Sequence, residues 1–231
     1  MSELRPVFST LDSRDRLLEA ALSAFAELGF HGATVRDIAK RAGVSQGLMT
    51  HHFGDKERLW NFVGERVSTD FLEFLLPVIT VDAVDSRTIP AILSAYMSYW
   101  RCHPLALRLQ LWRVLGAPEV ERRARVQRLN RQIVPIFAQA QQAGFIRADI
   151  PAGQAMVTTG ALIQYRLHSE LEMADALGVT GSNLPDDETF LDYVYALIAP
   201  AIARRRHVSP TNSMCIGYAQ EAPKKTSRDG S

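Results

Sequence analysis

The pattern in this sequence that most resembles reaction chemistry is Gly43-Val44-Ser45-Gln46-Gly47, which has the G-x-S-x-G spacing of a hydrolase nucleophile elbow. His103, His168 and His207 lie downstream, where a base for Ser45 would be sought. An elbow needs a buried strand ahead of the serine, so that a strained strand-to-helix turn pushes the hydroxyl outward. Here the serine follows an amphipathic segment with helical spacing, so Ser45 is expected to cap a helix and no enzymatic activity is expected. His51-His52 and Cys102-His103 are adjacent pairs, whereas two ligands share a helix face only at offsets of three or four. No spacing matches a structural zinc or H-E-x-x-H site, so neither a metal nor another cofactor is expected.

What surrounds Ser45 is a geometry for binding. Thr34 with Asp37 three places later approximates a capping box, Asp being a shorter substitute for Glu or Gln. The helix it opens runs through Ile38 and Ala39 to Ala42 and ends at Gly43, which can take the left-handed conformation of a tight stop. Ser45 caps the next helix at once, and that helix ends near Phe53-Gly54. Two helices joined by so short a turn cross steeply, and Ala39, Gly43, Val44 and Met49 are small or apolar enough to let them approach. Ile38, Ala39, Val44, Met49 and Phe53 are expected in the core. The second helix then projects as a ridge that fits the major groove of B-DNA.

The stretch Ala20-Ala21-Leu22-Ser23-Ala24-Phe25-Ala26-Glu27-Leu28-Gly29-Phe30-His31-Gly32-Ala33-Thr34 is followed by Ile38-Ala39, Ala42-Gly43-Val44-Ser45, His51-His52-Phe53 and Asp55-Lys56. Together these resemble the N-terminal domain of the TetR-type repressors over about residues 13 to 60. The resemblance implies a DNA-contact set of Thr34, Val35, Arg36, Ser45, Gln46, Gly47, Leu48, Thr50, His51, His52 and Lys56. Thr34 and the free amides opening its helix would hold a phosphate, and Arg36 a guanine edge or a phosphate. Gln46 suits adenine, Leu48 a thymine methyl, and Thr50, His51 and Lys56 backbone phosphates. The sequence departs from many relatives in having Thr50 in place of a phosphate-binding tyrosine, and His52 where tyrosine is common.

The elements that must carry this set are helical throughout: apolar residues recur at about 3.6-residue spacing and no hairpin alternation occurs, so the class is all-α. The first helix, capped by Asp12 or Ser13, carries a stripe of Leu18, Ala21, Leu22, Phe25 and Leu28 and stops at Gly29. Asp55 caps a fourth helix bearing Leu59, Trp60, Phe62 and Val63. Beyond it, helices are expected at roughly 66–80, 87–102, 104–116, 119–143, 152–177 and 187–203. The division is a loose arm at 1–12, a helix-turn-helix domain at 13–60, a helical ligand-binding and dimerisation domain at 61–203, and a disordered basic tail at 204–231.

Twenty-six Lys and Arg against 25 Asp and Glu leave a net charge of +1, so polyanion binding must rest on a local site. Two cysteines make no disulfide framework, the N-terminus lacks signal-peptide order, and the longest apolar runs are too short to span a bilayer. A cytoplasmic protein without a membrane partner is expected.

The segment Ala152 to Leu171 is apolar on nearly every side and needs a second bundle to bury it. With the helix carrying Phe190, Tyr193, Val194 and Leu197 it resembles the family's four-helix dimer interface, so a homodimer through the last two helices is expected. Double-stranded operator DNA is the expected partner of that dimer, since paired recognition helices read a palindrome. The middle helices concentrate amphipathic side chains, and Tyr96, Trp100, His103, Arg108, Trp112, Gln164, Tyr165 and His168 are expected to line a small-molecule effector pocket. Arg108 or Arg113 would favour an anionic effector, and Tyr and Trp alone an apolar or cationic one. Two other readings stay open: a helical ligand-binding protein whose helix pair is only a corner, and a hydrolase built on Ser45.

Overall fold

The computed structural model describes residues 12–80, 83–116 and 119–200, without the side chains of residues 119–122, 124, 125 and 182. The N-terminal arm, His207, Cys215, the basic tail and the end of the helix expected at 187–203 fall outside the described residues. The chain is all-α, with no strand among those residues. Its helices are α1 (Ser13–Gly32), α2 (Val35–Ala42), α3 (Gln46–Phe53), α4 (Lys56–Ile79), α5 (Thr88–Cys102) and α6 (Pro104–Gly116). They continue with α7 (Glu119–Gln142), α8 (Ala152–His168), α9 (Glu170–Ala176) and α10 (Asp187–Ile198), with one 3₁₀ turn at Gly181–Asn183.

Side-chain caps fix the starts of α2, α3 and α4. Thr34, Ser45 and Asp55 accept the backbone N–H three residues on, from Asp37 at 3.1 Å, Leu48 at 3.1 Å and Arg58 at 2.8 Å. Thr34 also donates its hydroxyl to the Asp37 carboxylate at 2.6 Å, so the short Asp serves the cap side chain and not the cap backbone N–H of a full capping box. Gly43 closes α2 at φ 66° and ψ 35°, the left-handed stop expected of it.

Four expectations about helix limits need correction. Asp12 precedes α1 without a side-chain cap, and Ser13 instead donates to the Asp12 carboxylate. Gly29 breaks α1 without ending it: at φ 68° and ψ −179° it interrupts the helix, which then resumes as far as Gly32. The buried face of α1 holds Leu18, Ala21 and Phe25 as expected but is wider, taking in Leu17, Ala20 and Ala24 while Leu28 is exposed, because partners lie on two sides of this helix. The fourth helix and the helix expected at 66–80 are one rod, α4, since no cap or breaker falls between Trp60 and Pro77. The division expected at residue 60 therefore falls inside a continuous helix. Conversely the segment expected as 152–177 divides at the buried Ser169, whose φ of −130° and ψ of 40° are not helical and whose Oγ pairs with His168 Nδ1 at 2.7 Å.

One cluster of buried side chains runs from Leu17 in α1 to Ile198 in α10. The inner stripe of α4, Leu59, Val63, Val67, Phe71 and Leu75, recurs every four residues and extends from beside α1 to the α5 and α6 bundle.

Candidate nucleic-acid interface and effector cavity

The contact set gathers on α2 with its cap, α3, the turn between them and the first residue of α4. Thr34, Arg36, Ser45, Gln46, Gly47, Thr50 and His51 are exposed, and Val35, Leu48, His52 and Lys56 are half-buried. Beneath them Ile38, Ala39, Ala42, Met49 and Phe53 are buried, so α3 is held to the protein by Met49 and Phe53 while its opposite side stays open. Val44 is half-buried against the core.

Hydrogen bonds sort this set further. Thr50 donates its hydroxyl to the Gln46 carbonyl at 3.1 Å, so its one proton is already used within α3. Lys56 turns across the α1–α2 loop, donating from Nζ to the carbonyls of Phe30 at 2.9 Å and Ala33 at 3.2 Å while lying 4.5 Å from the Phe30 ring centroid. Two of its three donors therefore brace the loop. Ser13 Oγ lies 3.2 Å from Asp12 Oδ1 and 3.2 Å from His52 Nε2, and the second contact ties α3 to the start of α1. Ser45 Oγ is engaged as a cap. His103 Nδ1 meets the Tyr99 carbonyl at 2.7 Å and His168 meets Ser169, so neither histidine serves the serine.

A cavity of about 350 Å³ opens where α4, α5, α6, α7 and α8 meet. Phe71, Leu72, Leu111, Val114, Val126 and Leu129 form its apolar wall, joined by Ser68, Gln110 and Arg128. Of the eight side chains expected in a pocket, Tyr96, Trp100 and Gln164 line this cavity, and Gln164 Nε2 donates to Tyr96 Oη at 2.7 Å. Among the others, His103 stacks on Tyr99 at 4.4 Å, Arg108 is exposed, and Tyr165 and His168 lie on the outward part of α8. Trp112 packs elsewhere: its ring lies 3.2 Å from where a Cβ on Gly29 would stand, and its Nε1 donates to the Ala26 carbonyl at 3.3 Å. Arg113 is buried against Gly64 of α4, where a Cβ would fall 0.8 Å from the guanidinium. Neither Arg108 nor Arg113 lines the cavity. Among the described residues no three His, Cys, Asp or Glu side chains converge on a metal-sized space.

Two family models match the chain. The one described as bacterial regulatory proteins of the tetR family covers residues 17–61, and a tetracyclin repressor-like C-terminal domain covers residues 89–183. The chain belongs to the TetR family. TetR proteins are regulators and not enzymes, in keeping with Ser45 as a cap. The two matched regions take in α1 to α3 and α5 to α9, and between them lies most of α4.

Individual relatives match only part of this chain. The transcriptional repressor AcnR of Corynebacterium efficiens is 50% identical over 50 residues, 22% of this chain and 27% of that one. The transcriptional regulator BetI of Pectobacterium carotovorum is 30% identical over 116 residues, 42% of this chain and 60% of that one. This chain thus spans between about a quarter and three-fifths of these TetR relatives. A solved Pseudomonas aeruginosa protein described as a transcriptional regulator has 26% identity and a TM-score of 0.62, over 82% of this chain and 91% of that one. One from Streptomyces coelicolor has 22% identity and a TM-score of 0.64, over 80% and 96%, and shares the TetR fold.

Sequence reasoning missed Phe71, Leu111 and Leu129 in the cavity wall, and the Trp112–Gly29 and Arg113–Gly64 contacts. Local periodicity marks such residues as buried or amphipathic, but the partners come from distant helices.

Proposed function

We propose that this chain is a ligand-responsive transcriptional repressor acting in the cytoplasm as a homodimer on a palindromic operator. The observation that carries it is the open face of α3, where Gln46, Gly47, Thr50 and His51 are exposed over a base anchored by buried Met49 and Phe53. In this reading residues 13–60 form the DNA-binding unit and 61–203 the dimerising, effector-binding unit, with α4 as the shared rod. Gln46 and Leu48 face base edges, and Arg36 and His51 face a guanine or phosphates. The free amides opening α2 hold another phosphate, beside a Thr34 hydroxyl that is itself engaged with Asp37. Lys56 offers its remaining N–H to the backbone and keeps the loop beside it in shape.

Dimerisation is supported by an apolar surface on the last helices: Val157 and Tyr165 of α8 and Tyr193 and Leu197 of α10 are about half exposed. A second copy covering that face would set two recognition helices at a fixed separation. The route from effector to DNA is supported by α6. This helix contributes Gln110, Leu111 and Val114 to the cavity, Trp112 to the break in α1, and Arg113 to the surface of α4. An effector that displaces α6 moves α1 and α4 with it, and one half-site loses register with the other.

Electrophoretic shift against the DNA flanking its own gene, at stated salt, is the test. A specific complex that weakens steeply with salt is expected. A purified protein that ignores every duplex offered would leave a helical ligand-binding protein in its place.

A further inference from the structure

The cavity is mostly hydrocarbon and aromatic, with one group of polar atoms at Tyr96, Trp100 and Gln164 and others at Ser68, Gln110 and Arg128. Gln164 Nε2 donates to Tyr96 Oη at 2.7 Å, which leaves the phenolic proton to find another acceptor. Exchanging the amide nitrogen and oxygen would reverse that bond and leave an amide N–H unspent instead, so one donor is in surplus either way. Trp100 supplies a second. Its Nε1 is buried without a well-formed hydrogen bond, keeping only a weak contact to Tyr96 that acts against the effect of burial on the hydroxyl. Burial pushes the Tyr96 hydroxyl above its ordinary value, so it stays a protonated donor.

Buried donors without acceptors are costly, and here they border a space a ligand can enter. Among the described lining residues there is no carboxylate. The charged one, Arg128, already reaches outward to Glu65 Oε2 at 3.1 Å, with both side chains about half exposed. A cationic ligand would find no counter-charge among the described lining residues.

We propose that the effector is a small, largely apolar molecule bearing a carbonyl or carboxylate oxygen that accepts hydrogen bonds from Tyr96, Trp100 and Gln164, and that it binds in preference to an amine of the same shape. This rests on taking the cavity as the effector site. The oxygen replaces the missing acceptor, and Phe71, Leu111 and Leu129 enclose the apolar body.

Calorimetric titration of the full chain with four matched probes tests the class: naphthalene, 2-acetylnaphthalene, 2-naphthoate and 2-naphthylmethylamine. The ketone or the acid, or both, should bind more tightly than naphthalene, and the amine no better than naphthalene. Tyr96→Phe should weaken the favoured oxygen probe roughly three- to tenfold, the worth of one neutral hydrogen bond, while leaving naphthalene unchanged as a check on folding. The acid ahead of the ketone would mark an anionic effector, and the reverse a neutral one. The class is overturned if the amine binds as well as the ketone and the acid. It is equally overturned if the oxygen preference survives both Tyr96→Phe and Trp100→Phe, or if no probe binds. Tight oxygen-probe binding that leaves a DNA complex intact would sink release by effector while sustaining the class. Release of DNA by naphthalene or the amine as readily as by the ketone would do the opposite.

Discussion

Ser45, Gln46 and Lys56 sit close together in the chain yet do separable work, and substitution tells them apart. Ser45→Ala removes the acceptor for the Leu48 N–H and should cost about 1 kcal/mol in urea unfolding. Gln46 is exposed and its side chain makes no hydrogen bond to the described residues, so Gln46→Ala should leave stability within about 0.5 kcal/mol. Its effect should instead be a changed order of preference among operator variants, measured by competition; an unchanged order would remove Gln46 from the base-reading set. Lys56→Met should do both kinds of damage. It strips the Phe30 and Ala33 carbonyls of their donor, for a loss of about 1–3 kcal/mol, and lowers affinity for all duplexes alike.

At the scale of elements, the helices communicate through two glycines. Gly64 gives the Arg113 guanidinium a seat on α4, and a methyl there would overlap it. Gly64→Ala should therefore cost about 1–3 kcal/mol by overpacking and blunt the response of DNA binding to effector, readable as a reduced shift in operator affinity at saturating ligand. Gly29 combines a positive φ with the Trp112 ring against its α-carbon, so any side chain there meets backbone strain and crowding together. Helix starts carry a pH dependence as well. The Asp186 carboxylate, which caps α10, is held below its ordinary value of 3.8 by the Thr189 backbone N–H and the Thr189 side chain. A depressed folded-state value means this stabilisation is complete above the unfolded value and is lost as pH falls through the folded one. The melting temperature should fall on acidification below about pH 4, less steeply in Asp186→Asn, which keeps an acceptor that does not titrate. Equal acid slopes for the two proteins would assign the effect to other carboxylates.

For the whole molecule, the decisive variable is the number of copies. Tyr193 and Leu197 lie one turn apart on α10, both about half exposed, on a helix that packs against α8, where Val157 and Tyr165 are also about half exposed. Tyr193→Glu with Leu197→Glu should convert a dimer to a monomer in light scattering. The same pair should cut operator affinity by more than tenfold, because two half-sites then bind independently. A double variant that stays dimeric would move the interface elsewhere.

The sequence by itself determined the helix-turn-helix. Thr34, Gly43, Ser45 and Asp55 act on amides and dihedrals within a few residues, and such local rules can be read along a chain. It marked Tyr96, Trp100 and Gln164 only within a set of eight amphipathic side chains, because aromatic and amide groups carry their chemistry with them but not their destination. Only the tertiary structure decided which of the amphipathic residues share a cavity. Trp112 went to α1 and Arg113 to α4, since a side chain's destination depends on space left by a glycine far away in sequence. The continuity of α4 was decided there too. A helix without caps or breakers continues for as long as packing supports its inner stripe, and that support comes from α1 at one end and the α5 and α6 bundle at the other.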